Sequence, residues 1–206
     1  MKQNTPVLDC WLTVGSTYTY LAVVRIPEFE KRFGVQFRFR PFNLRLIFNE
    51  MGYFPFPPNS PKTAYMWRDL ERRAGMYGIP IRLPVPYPAK DVLLANRVAL
   101  IGSQEGWASQ FIRASYRQWF EHGREPGSEA NLSESLREAG QQPARVLEAA
   151  NGEDAHNLYG RETSIARDLG VFGSPTFAVG QELFWGDDRL EDAVSWAKNG
   201  RVLRQP

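Results

Sequence analysis

The chain has 206 residues, 43% of them hydrophobic, enough for one sizeable core carrying an insertion or for two closely joined lobes. Basic and acidic residues nearly cancel, 25 against 23, for a formal net charge of +2 with no block of like charge, which argues against a nucleic-acid partner. One cysteine, Cys10, excludes an internal disulfide and any paired-cysteine redox centre.

No stretch approaches the ~20 apolar residues of a membrane helix. The first residues lack the apolar run and small-residue cleavage site of a secretory leader. The expectation is a cytoplasmic protein with no membrane association. Residues 7–14 (VLDCWLTV) are a short apolar run with β-branched and aromatic members, which predicts a buried strand. Gly15 breaks it. Ser16 or Thr17 then caps a helix running to about Arg32, with Pro27 as a point of kinking or division and Gly34 as the stop. Residues 35–40 (VQFRFR) alternate apolar and polar, a second, half-buried strand. A β-α-β start favours a parallel pair with a right-handed crossover.

Residues 52–61 form a loop of prolines and aromatics. Ser60 and Pro61 begin a helix with Met66, Leu70, Ala74 and Tyr77 on one face and Gly78 at its end. Pro80, Pro84, Pro86 and Pro88 impose an extended segment. From about Val92 to Ala150 the pattern is helical. Its stripes are Leu93, Leu94, Val98 and Ile101; Trp107, Phe111 and Ile112 followed by Trp119 and Phe120; and Leu132, Leu136 and Ala139. A further helix runs from about Glu153 to Leu169, stopped by Gly170. Thr176–Val179 and Glu182–Trp185 are two strands of a hairpin turning at Gly180–Gln181. Asp188 with Glu191 forms an acidic capping pair for a last helix that buries Leu190, Ala193, Val194 and Ala197.

The order is β-α-β, a helical block, α, β-β-α. Without the block it is an α/β, thioredoxin-like arrangement with an inserted all-helical domain. The expected division is a discontinuous domain of residues 1–44 and 151–206 and an insert of residues 45–150. Pro175 before the third strand fits, and a cis Ser174–Pro175 bond is expected.

Several side chains have two readings. Ser16 at a strand-to-helix turn is most simply a helix cap. Asp188 caps the last helix and Asp187 is solvated, or both bind a cation. Lys62 is a solvated first-turn lysine or the partner of an anion. Tyr53, Phe54, Phe56 and Trp67 are core, or wall an aromatic pocket. Asn96 and Arg97 are polar helix positions that could face a cleft. Cys10 lies inside the first strand and reads as a small buried hydrophobe. His122 and His156 have no partner at metal spacing, so no metal site is expected. Hydrolase-elbow, dinucleotide and phosphate-loop motifs do not occur.

The segments GSTYTYLA (15–22), KTAYMWRDLERRAGMYGIP (62–80), ANRVAL (95–100), GVFGSPTF (170–177) and ELFWGDDRL (182–190) resemble a known family. It comprises the kappa-class glutathione transferases and 2-hydroxychromene-2-carboxylate isomerase. The likeness runs from about Val7 to Lys198. It implies a thioredoxin domain with a helical insert, usually a homodimer, with glutathione bound between the lobes. It implies that Ser16 is the catalytic serine and that Ser174, before the cis Pro175, pairs its backbone with the glutathione cysteine. It also implies that Asp187 and Asp188 grip the γ-glutamyl end. Three positions depart from the family pattern: Thr17 replaces a proline, Tyr53 replaces an asparagine, and Lys90–Asp91 replace Asn-Ser or Asn-Thr.

The chemistry needs a thiolate, because the free thiol is a poor nucleophile. A helix N-terminus and a hydroxyl donor both favour the anion. Ser16 would therefore hold the thiol of bound glutathione, and no cysteine of the chain would act. The resemblance implies an isomerase of aromatic degradation: the thiolate adds to a cyclic hemiketal, the ring opens, and rotation with loss of thiol gives trans-o-hydroxybenzylidenepyruvate. Tyr53 and Lys62 would contact that substrate. The alternatives are a kappa-like transferase or peroxidase, which consumes glutathione, and a non-catalytic thioredoxin-like binding protein.

Overall fold

The computed structural model describes residues 5–90 and 92–203; of the departures noted above, Asp91 lies outside the described residues. The first strand, β1 (Val7–Leu12), leads through a tight turn into α1 (Thr17–Phe33), which ends on Gly34 in the left-handed conformation (φ 65°). Pro27 sits inside α1, which continues through it. Strand β2 (Gln36–Pro41) lies parallel to β1, as the β-α-β order requires. Helix α2 (Leu44–Glu50) follows. The sequence reading contains no such helix, although Asn43 caps it by accepting a bond from the Leu46 amide.

Helix α3 (Pro61–Tyr77) runs between the expected Ser60 cap and Gly78, and buries Met66, Leu70 and Ala74. The helical block resolves into α4 (Leu93–Glu105), α5 (Ala108–Phe120), α6 (Glu129–Glu138) and α7 (Pro143–Asn151). Val98 and Ile101 are buried as expected, but Leu93 is exposed, because the first turn of α4 precedes the packed part of that face. Helix α8 (Glu153–Leu169) leads to the hairpin of β3 (Thr176–Val179) and β4 (Glu182–Trp185), and α9 (Leu190–Asn199) follows.

Among the described residues the sheet is four-stranded, ordered β2-β1-β3-β4, with β3 antiparallel to both β1 and β4. The two-residue side-chain period of β1 divides the interior into two layers. Leu8, Cys10 and Leu12 face a large core shared with α1, α4, α5 and α9, whereas Trp11 faces a smaller one with Phe42, Ile47, Ala166 and Val171. Cys10 is fully buried, and burial pushes its thiol well above the ordinary range. Among the described residues no helix is long and apolar enough to cross a membrane.

Candidate active site

The end of β1, the start of α1 and the segment before β3 meet at one point. Backbone hydrogen bonding along β1 stops at Leu12, and residues 13–16 turn the chain into α1. A Cβ on Gly15 would lie 2.8 Å from the Val92 side chain, so the turn packs against the start of α4 only because residue 15 is glycine. The Val14 amide donates to Asn96 Oδ1 at 2.8 Å, and Asn96 Nδ2 donates to Thr13 Oγ1 at 2.9 Å. Asn96 and Arg97 therefore do not face a cleft. Asn96 is fully buried under the turn, and Arg97 donates to the Ala150 carbonyl at 2.6 Å.

Ser16 occupies the N-cap position of α1, yet its side chain makes no cap bond. Its hydroxyl donates instead to the backbone carbonyl of Ser174 at 2.8 Å. This corrects the cap reading. The tertiary approach of the 174 segment offers the hydroxyl an acceptor outside the helix. The Ser174–Pro175 bond is cis. Ser174 turns its own hydroxyl inward, where it accepts from the Thr13 amide at 2.9 Å. Its backbone thus carries the outward contact and its side chain the inward one. Thr17 is buried beside Met66, with its hydroxyl 3.5 Å from the sulfur.

The acidic pair splits. Asp187 is 3% exposed and receives two bonds from Arg73, from Nε at 3.1 Å and from Nη2 at 2.7 Å. Arg25 donates to its backbone carbonyl at 3.3 Å and pairs with Glu191. Burial pushes the Asp187 carboxyl from 3.8 up to about 6, against the opposing pull of Arg73. Asp188 is exposed. The expected Asp188 cap is not formed: Asp187–Arg189 make a 3-10 turn and Arg189 stands at the N-cap of α9. The inward draw of Asp187 onto Arg73 and the unusual Gly186 backbone (φ 115°) tighten the chain there.

On the other side, Lys62 and Tyr53 are brought together, with Lys62 Nζ donating to the tyrosine hydroxyl at 2.9 Å. The ammonium also lies 5.4 Å from the ring centroids of both Tyr53 and Phe56. The expected aromatic wall is not one surface. Tyr53 and Phe54 are exposed, whereas Trp67 borders a cavity that the other three do not line. That cavity, about 450 Å³, lies between α3 and the proline segment, walled chiefly by Trp67, Leu83, Val85 and Tyr87. Trp67 and Tyr87 meet edge to face at 5.1 Å.

Sequence reasoning missed Phe172 and Trp185. Their rings meet at 4.9 Å and both are exposed, flanking the segment that carries Ser174. A Cβ on Gly173 would lie 2.1 Å from Trp185 Nε1, so glycine is what lets the indole approach. The signal was present as two aromatics, each beside a glycine, within the quoted GVFGSPTF and ELFWGDDRL segments. Among the described residues no group of three or more His, Cys, Asp or Glu is placed to hold a metal.

A parallel β-α-β unit followed by an antiparallel hairpin, with a cis proline opposite the first helix, defines a thioredoxin-type protein. A family model described as "DSBA-like thioredoxin domain" matches residues 7–195, and the chain belongs to that family. Among its relatives, 2-hydroxychromene-2-carboxylate isomerase of Sphingobium xenophagum is 28% identical over 195 residues, 93% of this chain and 98% of the relative. Glutathione S-transferase kappa 1 of Caenorhabditis elegans is 25% identical over 198 residues, 90% of this chain and 88% of the relative. A solved structure of 2-hydroxychromene-2-carboxylate isomerase superposes with a TM-score of 0.78 at 26% identity, covering 89% of this chain and 90% of that one.

Proposed function

We propose that the chain is a glutathione-dependent isomerase acting on an aromatic-degradation intermediate, similar to 2-hydroxychromene-2-carboxylate isomerase. The observation that carries this reading is the 2.8 Å bond from the Ser16 hydroxyl to the Ser174 carbonyl, beside a cis proline and at the start of α1. A backbone carbonyl next to a cis proline is the acceptor a peptide N–H takes when an extended ligand pairs with it. The residues fit glutathione at that point. A cysteinyl N–H takes the Ser174 carbonyl, the Ser16 hydroxyl turns onto the sulfur, and Pro175 shapes the segment.

When bound, glutathione supplies a thiolate that adds to the unsaturated substrate and departs after bond rotation, so the tripeptide is returned unchanged. Ser16 and the N-terminus of α1 favour the anionic sulfur. Asp188, exposed, takes the γ-glutamyl ammonium. Asp187, buried behind it, holds the turn in place through Arg73. Lys62 and Tyr53 orient the substrate carboxylate at the rim, and the cavity beside Trp67 and Tyr87 accepts the ring. The α3 wall of that cavity belongs to a helix that meets the start of α1, where the Met66 sulfur lies 3.5 Å from the Thr17 hydroxyl.

We assign residues 1–44 and 151–206 to the glutathione side and residues 45–150 to the helical insert, and place a homodimer in the cytoplasm. Sedimentation and cell fractionation test those two statements. The isomerase reading is tested by following conversion of 2-hydroxychromene-2-carboxylate spectroscopically with and without glutathione. Conversion that needs glutathione but does not consume it is the expected result, and equal rates in both conditions would sink the cofactor role. The similarity to the kappa-class relative motivates a second reading, conjugation of an electrophile. Turnover of a model aryl halide without isomerisation selects it.

A further inference from the structure

Behind the Ser16 turn lie three buried hydroxyls that brace it from two sides. The Thr13 amide donates to Ser174 Oγ at 2.9 Å, and Ser174 Oγ lies 2.7 Å from Thr19 Oγ1. Tyr116, on α5, donates to the Ser16 carbonyl at 2.9 Å and the Thr13 carbonyl at 3.1 Å. Thr19 and Tyr116 are fully buried and Ser174 is 9% exposed.

The bonds to the backbone have a fixed direction. A backbone amide can only donate and a carbonyl can only accept. Ser174 Oγ therefore accepts from the Thr13 N–H, and Tyr116 sets its one hydroxyl proton between the carbonyls of Ser16 and Thr13. Ser174 Oγ and Thr19 Oγ1 share the bond between them, in which either can donate. The same Ser174 also offers its carbonyl to the Ser16 hydroxyl, so the residue that Thr19 holds meets the residue proposed to hold sulfur.

We propose that Tyr116 and Thr19 are positioning residues for Ser16: Tyr116, from α5 of the helical block, holds the turn by its backbone carbonyls, and Thr19 holds Ser174 and so directs the Ser16 side chain. Tyr116 also covers two carbonyl oxygens whose negative ends would otherwise disfavour an anion beside the turn. The geometric half stands on the free protein, while the effect on sulfur rests on the glutathione reading.

The test uses Tyr116→Phe, Thr19→Val and Thr19→Ser in the full chain. In the free protein, hydrogen exchange of the Thr13, Val14 and Ser16 amides is compared with that of Cys10 and Leu12 in β1. Tyr116→Phe and Thr19→Val are expected to speed the turn amides by about tenfold or more relative to the strand, with Thr19→Ser close to wild type. Uniform change across both groups, or none, overturns the positioning role whether or not glutathione binds. In glutathione-dependent turnover, the two hydroxyl-deleting variants are expected to move the lower pH limb upward by about half a unit or more while KM for glutathione changes little. Wild-type pH profiles in both variants overturn the effect on sulfur. Wild-type protein that shows no glutathione-dependent turnover overturns the functional reading, and the exchange data then decide the geometry alone.

Discussion

The Arg73–Asp187 junction predicts a pH dependence of stability whose sign is opposite to that of an ordinary surface salt bridge. Asp187 titrates at about 6 in the folded protein against an ordinary 3.8, and its side chain is 4% exposed. The folded state thus binds this proton more tightly than the unfolded state. Between roughly pH 4 and 6 the native protein holds the extra proton, so stability falls as pH rises through that window. A shift of about two units corresponds to ~3 kcal/mol at full extent. The charged groups acting on the carboxyl are Arg73, Arg25 and Asp188, with Glu191 paired to Arg25 and the Tyr77 hydroxyl bonded to Arg73. Their titrations remain in the Asp187→Asn variant, so the difference between wild type and variant isolates residue 187. In urea unfolding at about pH 4, 5 and 7, wild type should gain stability relative to Asp187→Asn as pH falls, by up to ~3 kcal/mol, or roughly 6–12 °C in Tm. A difference that stays flat, or that shrinks toward low pH, would refute the reasoning. It would mean that the Arg73 ion pair outweighs burial and holds the carboxyl at or below its ordinary range.

Other outcomes follow from the same geometry. Asn96→Leu orphans the Val14 amide and the Thr13 hydroxyl, and should cost about 2–4 kcal/mol by chemical denaturation. Gly173→Ala drives a Cβ into the Trp185 indole and should lower Tm and blue- or red-shift tryptophan emission, whereas an unchanged melt and spectrum would show the ring to be free to move. Cys10→Ala should retain full turnover, and the native protein should resist thiol alkylation, because the only sulfhydryl is buried and held protonated. Lys62→Met should raise KM for an anionic substrate several-fold while leaving glutathione binding by calorimetry unchanged.

Much of the fold is legible where the punctuation is local. Gly170, Gly180 and Gly34 each sit at a positive φ that ends an element, and α8, β3 and β4 fall where those glycines place them. Ser60 and Pro61 likewise mark α3 correctly because cap and first-turn proline act within one turn. Helix α2 escaped notice, since its seven residues follow a strand-ending proline and carry little periodicity beyond Leu44 and Ile47.

The candidate site is legible only in part. GSTYTY and GSPTF lead to Ser16 and Ser174, and the structure brings these two together. What local pattern cannot show is which acceptor a side chain finds. Ser16 and Asp188 have cap-like sequences, yet Ser16 bonds to a residue 158 positions away and Asp188 stands aside while Asp187 turns inward. Asn96 and Tyr116 reach the turn across 82 and 100 residues, separations at which sequence periodicity carries no signal.

The most direct measurement is the ultraviolet titration of the thiol of glutathione bound to wild-type protein and to Ser16→Ala. A charge-assisted hydrogen bond of about 1.5–3 kcal/mol should bring the bound thiol at least about one unit below its free value in wild type, and the alanine variant should return it most of the way. Identical titration curves for the two proteins would contradict the account, whatever their relative turnover.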